Sequence, residues 1–235
     1  MNRIETDLDG THAVFQPETG FHFGIDALLL AGAAFCRAGD AACDLGTGCG
    51  VIPVLLSMHR DFARIYGVEI REDLAALARE NAEKNGFGDR IRILSGDLKN
   101  ADALLPEKVD VVLANPPYRR GSGDPARFES LCGIRDVCRA AASILKGKGR
   151  FTVIWPVRRL ADLFRALADA GLEPKEMIPV VPVRGRAAKL VLVTSRKGVL
   201  PGLAVSPAFV LREADGRESE ACLRLYEDGV LGVEV

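Results

Sequence analysis

Between residues 41 and 195 the chain repeats one local pattern: a short apolar run, then an amphipathic helical segment, then another run. The strand-like runs are 41–45 (AACDL), 64–69 (RIYGVE), 91–95 (IRILS), 109–114 (VDVVLA), 149–155 (GRFTVIW), 175–181 and 188–195 (AKLVLVTS). Helical periodicity fills 51–60, 72–85, 129–145 and 158–170. Asn85-Gly86 ends the second of these and "GLEP" the fourth, as helix C-caps do. Strand–helix alternation requires right-handed crossovers, which predicts an α/β fold with a mostly parallel sheet covered on both faces. Sheets of this kind bind ligands beyond the carboxyl ends of their strands. The informative loops therefore follow residues 45, 69, 95 and 114.

The flanks read as additions to one domain, with no repeat or linker between them. Residues 1–38 give a hairpin turning at Asp9-Gly10 and then a helix beginning near Asp26. Residues 39–197 are the core, and 198–235 add a strand, an Asp-Gly turn and a short helix. No apolar run is long enough to cross a bilayer and the start, MNRIETDLDG, is polar, so a cytoplasmic protein with no membrane partner is expected. The six cysteines lie scattered without CxxC pairs, and the three histidines (12, 22 and 59) stand far apart. Reduced thiols and no metal are the corresponding expectations.

The first informative loop lies in "CDLGTGCGVIPVLL", where a strand ends in Asp44 and a helix follows Gly46-x-Gly48-x-Gly50. Glycines there let a backbone approach a ligand closely. A dinucleotide fingerprint would need a glycine where Val51 stands, and a P-loop would need a closing Gly-Lys-Ser/Thr. Nineteen residues after Gly50, Glu69 ends the second strand, where a carboxylate can accept from both hydroxyls of a ribose. Ile70 offers an apolar surface to a base, and Asp97, after the third strand, an acceptor for an exocyclic amine. Asp97 reads equally as a helix N-cap. The fourth loop opens with Asn115-Pro116-Pro117-Tyr118, an amide, a rigid corner and an aromatic at the end of an apolar strand.

Asp44, the GxGxG loop, Glu69, Asp97 and Asn115-Pro-Pro-Tyr, in this order, resemble a class I S-adenosylmethionine-dependent methyltransferase over residues 40 to 196. The resemblance implies a Rossmann-like seven-stranded sheet whose seventh strand, here 188–195, runs antiparallel. It implies S-adenosylmethionine as cofactor, held by Asp44, Gly46, Thr47, Gly48, Gly50, Glu69, Ile70, Asp97, Leu98 and Asn115. It also implies methylation of an amino or amide nitrogen conjugated to a π system. Asn115 and the Pro116 carbonyl would accept that nitrogen's protons, and Tyr118 would stack on the planar substrate. Enzymes with this motif act on adenine N6 or on protein glutamine, and the glutamine enzymes usually carry a longer helical N-terminal domain.

Over nearly the whole chain, "FHFGIDALLLAGAAF", "DLGTGCGVIPVLL", "NPPYRRGSG", "AAKLVLVTSRKG" and "FVLREADGRESEACLRLYEDG" are similar to the bacterial tRNA valine (adenine-N6)-methyltransferases. That family implies a tRNA substrate modified beside the anticodon and adds Asp26 to the cofactor set, although Ile25 stands where the family has Thr. Charge points the same way. Residues 1–115 carry 11 Lys/Arg against 18 Asp/Glu, whereas residues 116–200 carry 17 against 7. An excess that begins at the Asn-Pro-Pro-Tyr corner predicts a polyanion-binding surface, with Arg119, Arg120, Arg184, Arg186, Lys189, Arg196 and Lys197 as its RNA contacts.

Overall fold

The computed structural model describes residues 2–19, 23–117 and 132–232. A hairpin of β1 (Arg3–Asp7) and β2 (Ala13–Pro17) leads to α1 (Ile25–Gly32). The core follows as β3 (Ala41–Leu45), α2 (Val51–His59), β4 (Arg64–Glu69), α3 (Glu72–Lys84), β5 (Ile91–Ser95), a 3-10 turn at Leu98–Asn100 and α4 (Ala101–Leu104). It continues through β6 (Val109–Ala114), α5 (Ile134–Ile144), β7 (Leu145–Pro156), α6 (Leu160–Asp169), β8 (Leu172–Val181) and β9 (Leu190–Lys197). Two short strands, β10 (Ala204–Val205) and β11 (Phe209–Val210), and α7 (Glu220–Asp228) complete the chain. The predicted helix at 129–145 is seen as α5, and its residues 129–131 lie outside the described set.

The sheet order is β10-β8-β9-β7-β6-β3-β4-β5, with β11 also pairing β8. Among the described residues it therefore holds nine strands, two more than expected. β10 and β11 lie parallel to β8 at Glu176–Met177 and at Val180–Val181, leaving Pro179 in the gap between them. A proline has no N–H to offer a partner, so the outer edge is interrupted where it stands. β9 runs antiparallel to both β7 and β8, as expected for the last core strand.

Alternation along each strand sends its side chains into two cores. Ala42, Ile65, Val111, Leu113 and Ile154 pack beneath α1, α2, α3 and α7. Cys43, Tyr66, Val68, Val112 and Val153 pack beneath α4, α5 and α6. The C-terminal segment is locked to the core by Arg60, whose guanidinium donates to the carbonyls of Gly32, Ala34, His59 and Gly229 at 2.8–3.1 Å. Among the described residues no helix is long and apolar enough to cross a membrane.

Candidate functional site

β3 feeds β4 and β5 on one side of the sheet, and the chain then crosses to β6 and β7 on the other. The crevice at such a reversal is where an open α/β sheet receives a ligand. Register fills it: Ala114 pairs Leu45, Leu45 pairs Val68 and Val68 pairs Leu94. The next residue on each strand is therefore Asn115, Gly46, Glu69 and Ser95, one row across four strand ends. Three strand spacings make that row about 14 Å wide.

The glycine turn is built from its backbone. The N–H groups of Gly46 and Thr47 both donate to the Val68 carbonyl, at 2.9 and 3.0 Å. Gly46, Gly48 and Gly50 all adopt left-handed backbone, with φ of 78°, 58° and 81°. Among the described residues a Cβ at Gly46 or Gly48 would meet nothing within 4 Å, so that side is open to a ligand. At Gly50 it would lie 2.9 Å from the Ala78 Cβ, so this glycine lets the turn sit against α3.

Glu69 is buried and holds the same turn. One carboxylate oxygen accepts the Gly48 N–H at 2.8 Å and the other the Arg71 N–H at 2.9 Å. Each oxygen keeps a further lone pair for a ligand hydroxyl. Ile70 beside it is 58% exposed, an uncovered apolar face at the strand end. Asp97 caps the 3-10 turn, with one oxygen accepting the Lys99 N–H at 2.9 Å. The N-cap reading of Asp97 thus describes one of its oxygens, and the other remains for a ligand. Leu98, half-buried, packs on the α4–α6 core.

Asp44 and Thr47 lie under the turn, and among the described residues neither the Asp44 carboxyl oxygens nor the Thr47 hydroxyl has a hydrogen-bond partner. Burial is the main reason the Asp44 carboxyl is pushed up from 3.8 to about 7. The nearby Thr47 hydroxyl favours ionisation without reaching hydrogen-bond geometry, and the Glu69 carboxylate opposes it. Buried acceptors without donors mark a place where a bound molecule or its water completes the bonding. An open glycine turn, a buried acid at the neighbouring strand end, an apolar face and orphaned acceptors beneath fit a nucleoside carrying a cationic arm.

Asn115 is half-buried, Pro116 buried and Pro117 exposed. Tyr118, Arg119 and Arg120 lie outside the described residues. Asp26 occupies the first turn of α1, where a carboxylate suits the helix dipole.

The basic residues divide into two groups. Arg184, Arg186 and Lys189 lie on the 182–189 loop between β8 and β9, at the same sheet end as Asn115. Arg184 there forms a paired contact with Glu213, at 2.6 and 2.9 Å. Arg196 and Lys197 lie at the other end of the sheet from Asn115. β9 is antiparallel, so Leu190 pairs Pro156 at the site end while Arg196 pairs Arg150 six residues away, about 20 Å along the strand. Their side chains are engaged there, Arg196 with the Lys148 carbonyl and Lys197 with those of Ala142 and Leu145. Arg158 and Arg159, not singled out from the sequence, lie in the 3-10 turn Val157–Arg159 that follows β7 at the site end. Arg159 stacks 4.9 Å from the Trp155 ring. Their position after the carboxyl end of a parallel strand is the signal that finds them.

The strand order, the antiparallel last core strand and the glycine turn beside Asn115 define a class I methyltransferase fold. The methyltransferase small domain family matches residues 21–167, and the chain belongs to that family. A tRNA1(Val) (adenine(37)-N6)-methyltransferase of Shewanella amazonensis is 28% identical over 76% of this chain and 79% of its own length. A crystal structure described as a predicted O-methyltransferase from Agrobacterium tumefaciens shares the fold. Its TM-score is 0.74 at 23% identity, over 89% of this chain and 99% of that one. TrmN from Thermus thermophilus superimposes with a TM-score of 0.54 at 28% identity, over 73% of this chain and 47% of that one.

Proposed function

We propose that the chain is an S-adenosylmethionine-dependent methyltransferase acting on N6 of an adenine in tRNA, beside the anticodon. The carrying observation is the row Asn115, Gly46, Glu69, Ser95, which sets a lone amide next to a turn suited to a nucleoside with a cationic arm. The name of the Shewanella relative, a tRNA1(Val) adenine(37)-N6 enzyme, supports the substrate.

In this reading Glu69 holds the ribose, Ile70, Asp97 and Leu98 the adenine, and Asp44, Thr47, Gly46, Gly48 and Gly50 the amino-acid arm, with Asp26 closing from α1. When bound, the cofactor supplies an electrophilic methyl on a sulfonium. The substrate amine is a poor nucleophile because its lone pair is delocalised into the ring. The Asn115 side-chain oxygen and the Pro116 carbonyl accept its two N–H groups and turn that lone pair toward the methyl. A proline at 116 has no N–H to compete and stiffens the corner. The bound cofactor would supply the methyl and take up the bonding electrons at its sulfonium, and the nitrogen's surplus proton would leave to solvent. Positioning and electrostatics carry the rate.

Tyr118 stacks on the adenine, a contact of about 1–3 kcal/mol, once the base has left its own stack. Arg119, Arg120, Arg158, Arg184, Arg186 and Lys189 bind phosphates around that corner. β8 lies three strand spacings, about 14 Å, from β6, within the footprint of a folded RNA arm.

Incubation with methyl-labelled cofactor and total bacterial tRNA, followed by nucleoside analysis, is expected to place label in N6-methyladenosine. Label appearing only in a peptide release factor, or in another nucleoside, would overturn the assignment.

A further inference from the structure

The hairpin is a separate two-stranded ribbon, and among the described residues its β2 strand has one edge without a strand beside it. Its register, continued by the bonds from Leu8 N to His12 O and from Glu18 N to Asn2 O, turns Val14 and Gln16 toward β1. Ala13 and Phe15 then present their N–H and C=O groups to the open edge. Exposed ladder groups of this kind need covering.

Helix α3 covers them with two side chains. The Asn81 oxygen accepts the Phe15 N–H at 2.7 Å, and its amide nitrogen donates to the Phe15 carbonyl at 2.9 Å. Asn85 repeats the pair on Ala13 at 3.1 and 2.9 Å. Four helix residues advance about 6 Å and two strand residues about 6.8 Å, so amides one turn apart match alternate strand residues. The helix presents to β2 the donor and acceptor that a neighbouring strand would supply.

The two amides differ in their remaining donor. Asn85 spends it on the Asn81 carbonyl, at 2.7 Å. Asn81, fully buried, gives it to the Cys49 carbonyl at 2.8 Å, inside the glycine turn. On the hairpin side, the buried Gln16 carries the link onward. Its oxygen accepts the Phe23 N–H at 2.9 Å, just ahead of α1 and Asp26, while its nitrogen donates to the Thr6 hydroxyl at 2.7 Å.

We propose that Asn81 is a positioning residue that makes the N-terminal hairpin part of the cofactor site. Through one amide it ties the Cys49 carbonyl to Phe15, so the glycine turn and the Phe15 segment of the hairpin share one anchor on α3. The affinity consequence rests on the cofactor reading above. Gly50 sits against Ala78 on the same helix, and α3 thereby grips the turn from two points three residues apart.

The test compares Asn81→Ala with Asn85→Ala, which loosens the same hairpin without touching the turn. Hydrogen exchange on the ligand-free proteins is expected to accelerate at residues 46–51 in Asn81→Ala alone, and across residues 3–17 in both. Calorimetry with S-adenosylhomocysteine is expected to show about tenfold weaker binding for Asn81→Ala and wild-type binding for Asn85→Ala. If Asn81→Ala does not fold, Asn81→Ser carries the same comparison. Exchange at 46–51 that stays at the wild-type rate, or that rises equally in both variants, would overturn the proposal. Failure of the wild-type protein to bind S-adenosylhomocysteine would count against the cofactor reading alone, because the exchange comparison needs no ligand.

Discussion

Asp44→Asn is expected to make the ligand-free protein more resistant to unfolding at neutral pH and above, while impairing the site. The Asp44 carboxyl is wholly buried, its oxygens have no partner, and burial raises its pKa from 3.8 to about 7. In the unfolded chain the group ionises near 3.8, so between pH 4 and pH 7 the folded protein keeps a proton that the unfolded chain has released. The contribution of this group to stability is thus fully present below about pH 4 and lost as pH rises through 7. The loss runs at about 1.4 kcal/mol per pH unit and totals about 4 kcal/mol. Above pH 7 both states are ionised and the loss levels off.

Asparagine has nearly the same shape and does not titrate in this range. Its amide still lacks partners in the ligand-free protein, a pH-independent cost of about 1–3 kcal/mol that reduces the absolute gain. The pH signature survives that offset, because the offset itself does not vary with pH. Urea unfolding of both at pH 5, 6, 7 and 8 should show the variant gaining about 3 kcal/mol on the wild type across that span. Calorimetry at pH 8 should show weaker S-adenosylhomocysteine binding by the variant. Stability curves that run parallel from pH 5 to pH 8 would refute the account, because an Asp44 with an ordinary pKa would contribute no difference there.

Asn115→Ala should reduce methyl transfer to tRNA by at least about a hundredfold while S-adenosylhomocysteine binds as to the wild type; single-turnover rates at wild-type level would sink the two-acceptor scheme. Glu69→Gln replaces one acceptor by a donor facing either Gly48 N–H or Arg71 N–H, and a lost charge-assisted bond of about 1.5–3 kcal/mol should weaken cofactor binding about 10- to 100-fold. Unchanged affinity in the Gln variant would remove Glu69 from the site. Replacing Arg186 and Lys189 together by Ala should lower the dependence of log K for tRNA on log salt by about 1–2 units. Replacing Arg196 and Lys197 should leave that slope alone and lower urea stability, because they cap carbonyls at the far end of the sheet. A reversed pattern would place the RNA on the opposite end.

The sequence carried the strands and most helices of the core because each is long enough to express its own period. β10 and β11 are two residues each and have no period to express. The strand-like run at 149–155 leaves out the start of β7, where Lys146-Gly147-Lys148-Gly149 has no apolar residue. In the sheet the same residues stay in the strand, with Lys148 at φ 62° and a register shift on β6. Residue chemistry pointed to Gly46, Glu69 and Asn115, but only the pairing of Ala114, Leu45 and Val68 puts them in one row. Arg196 and Lys197 adjoin the last strand in the sequence, and only its direction shows which end they occupy: an antiparallel strand turns its first residues, not its last, toward the site. Asn81 and Asn85 are the subtlest case. Asparagine is a poor helix former, and two of them one turn apart within "EDLAALARENAEKN" cost the helix more than Ala or Glu would. Such spacing on an amphipathic helix signals amides turned inward to satisfy a backbone that no strand reaches. Which backbone they serve follows only from the packing of β2 against α3.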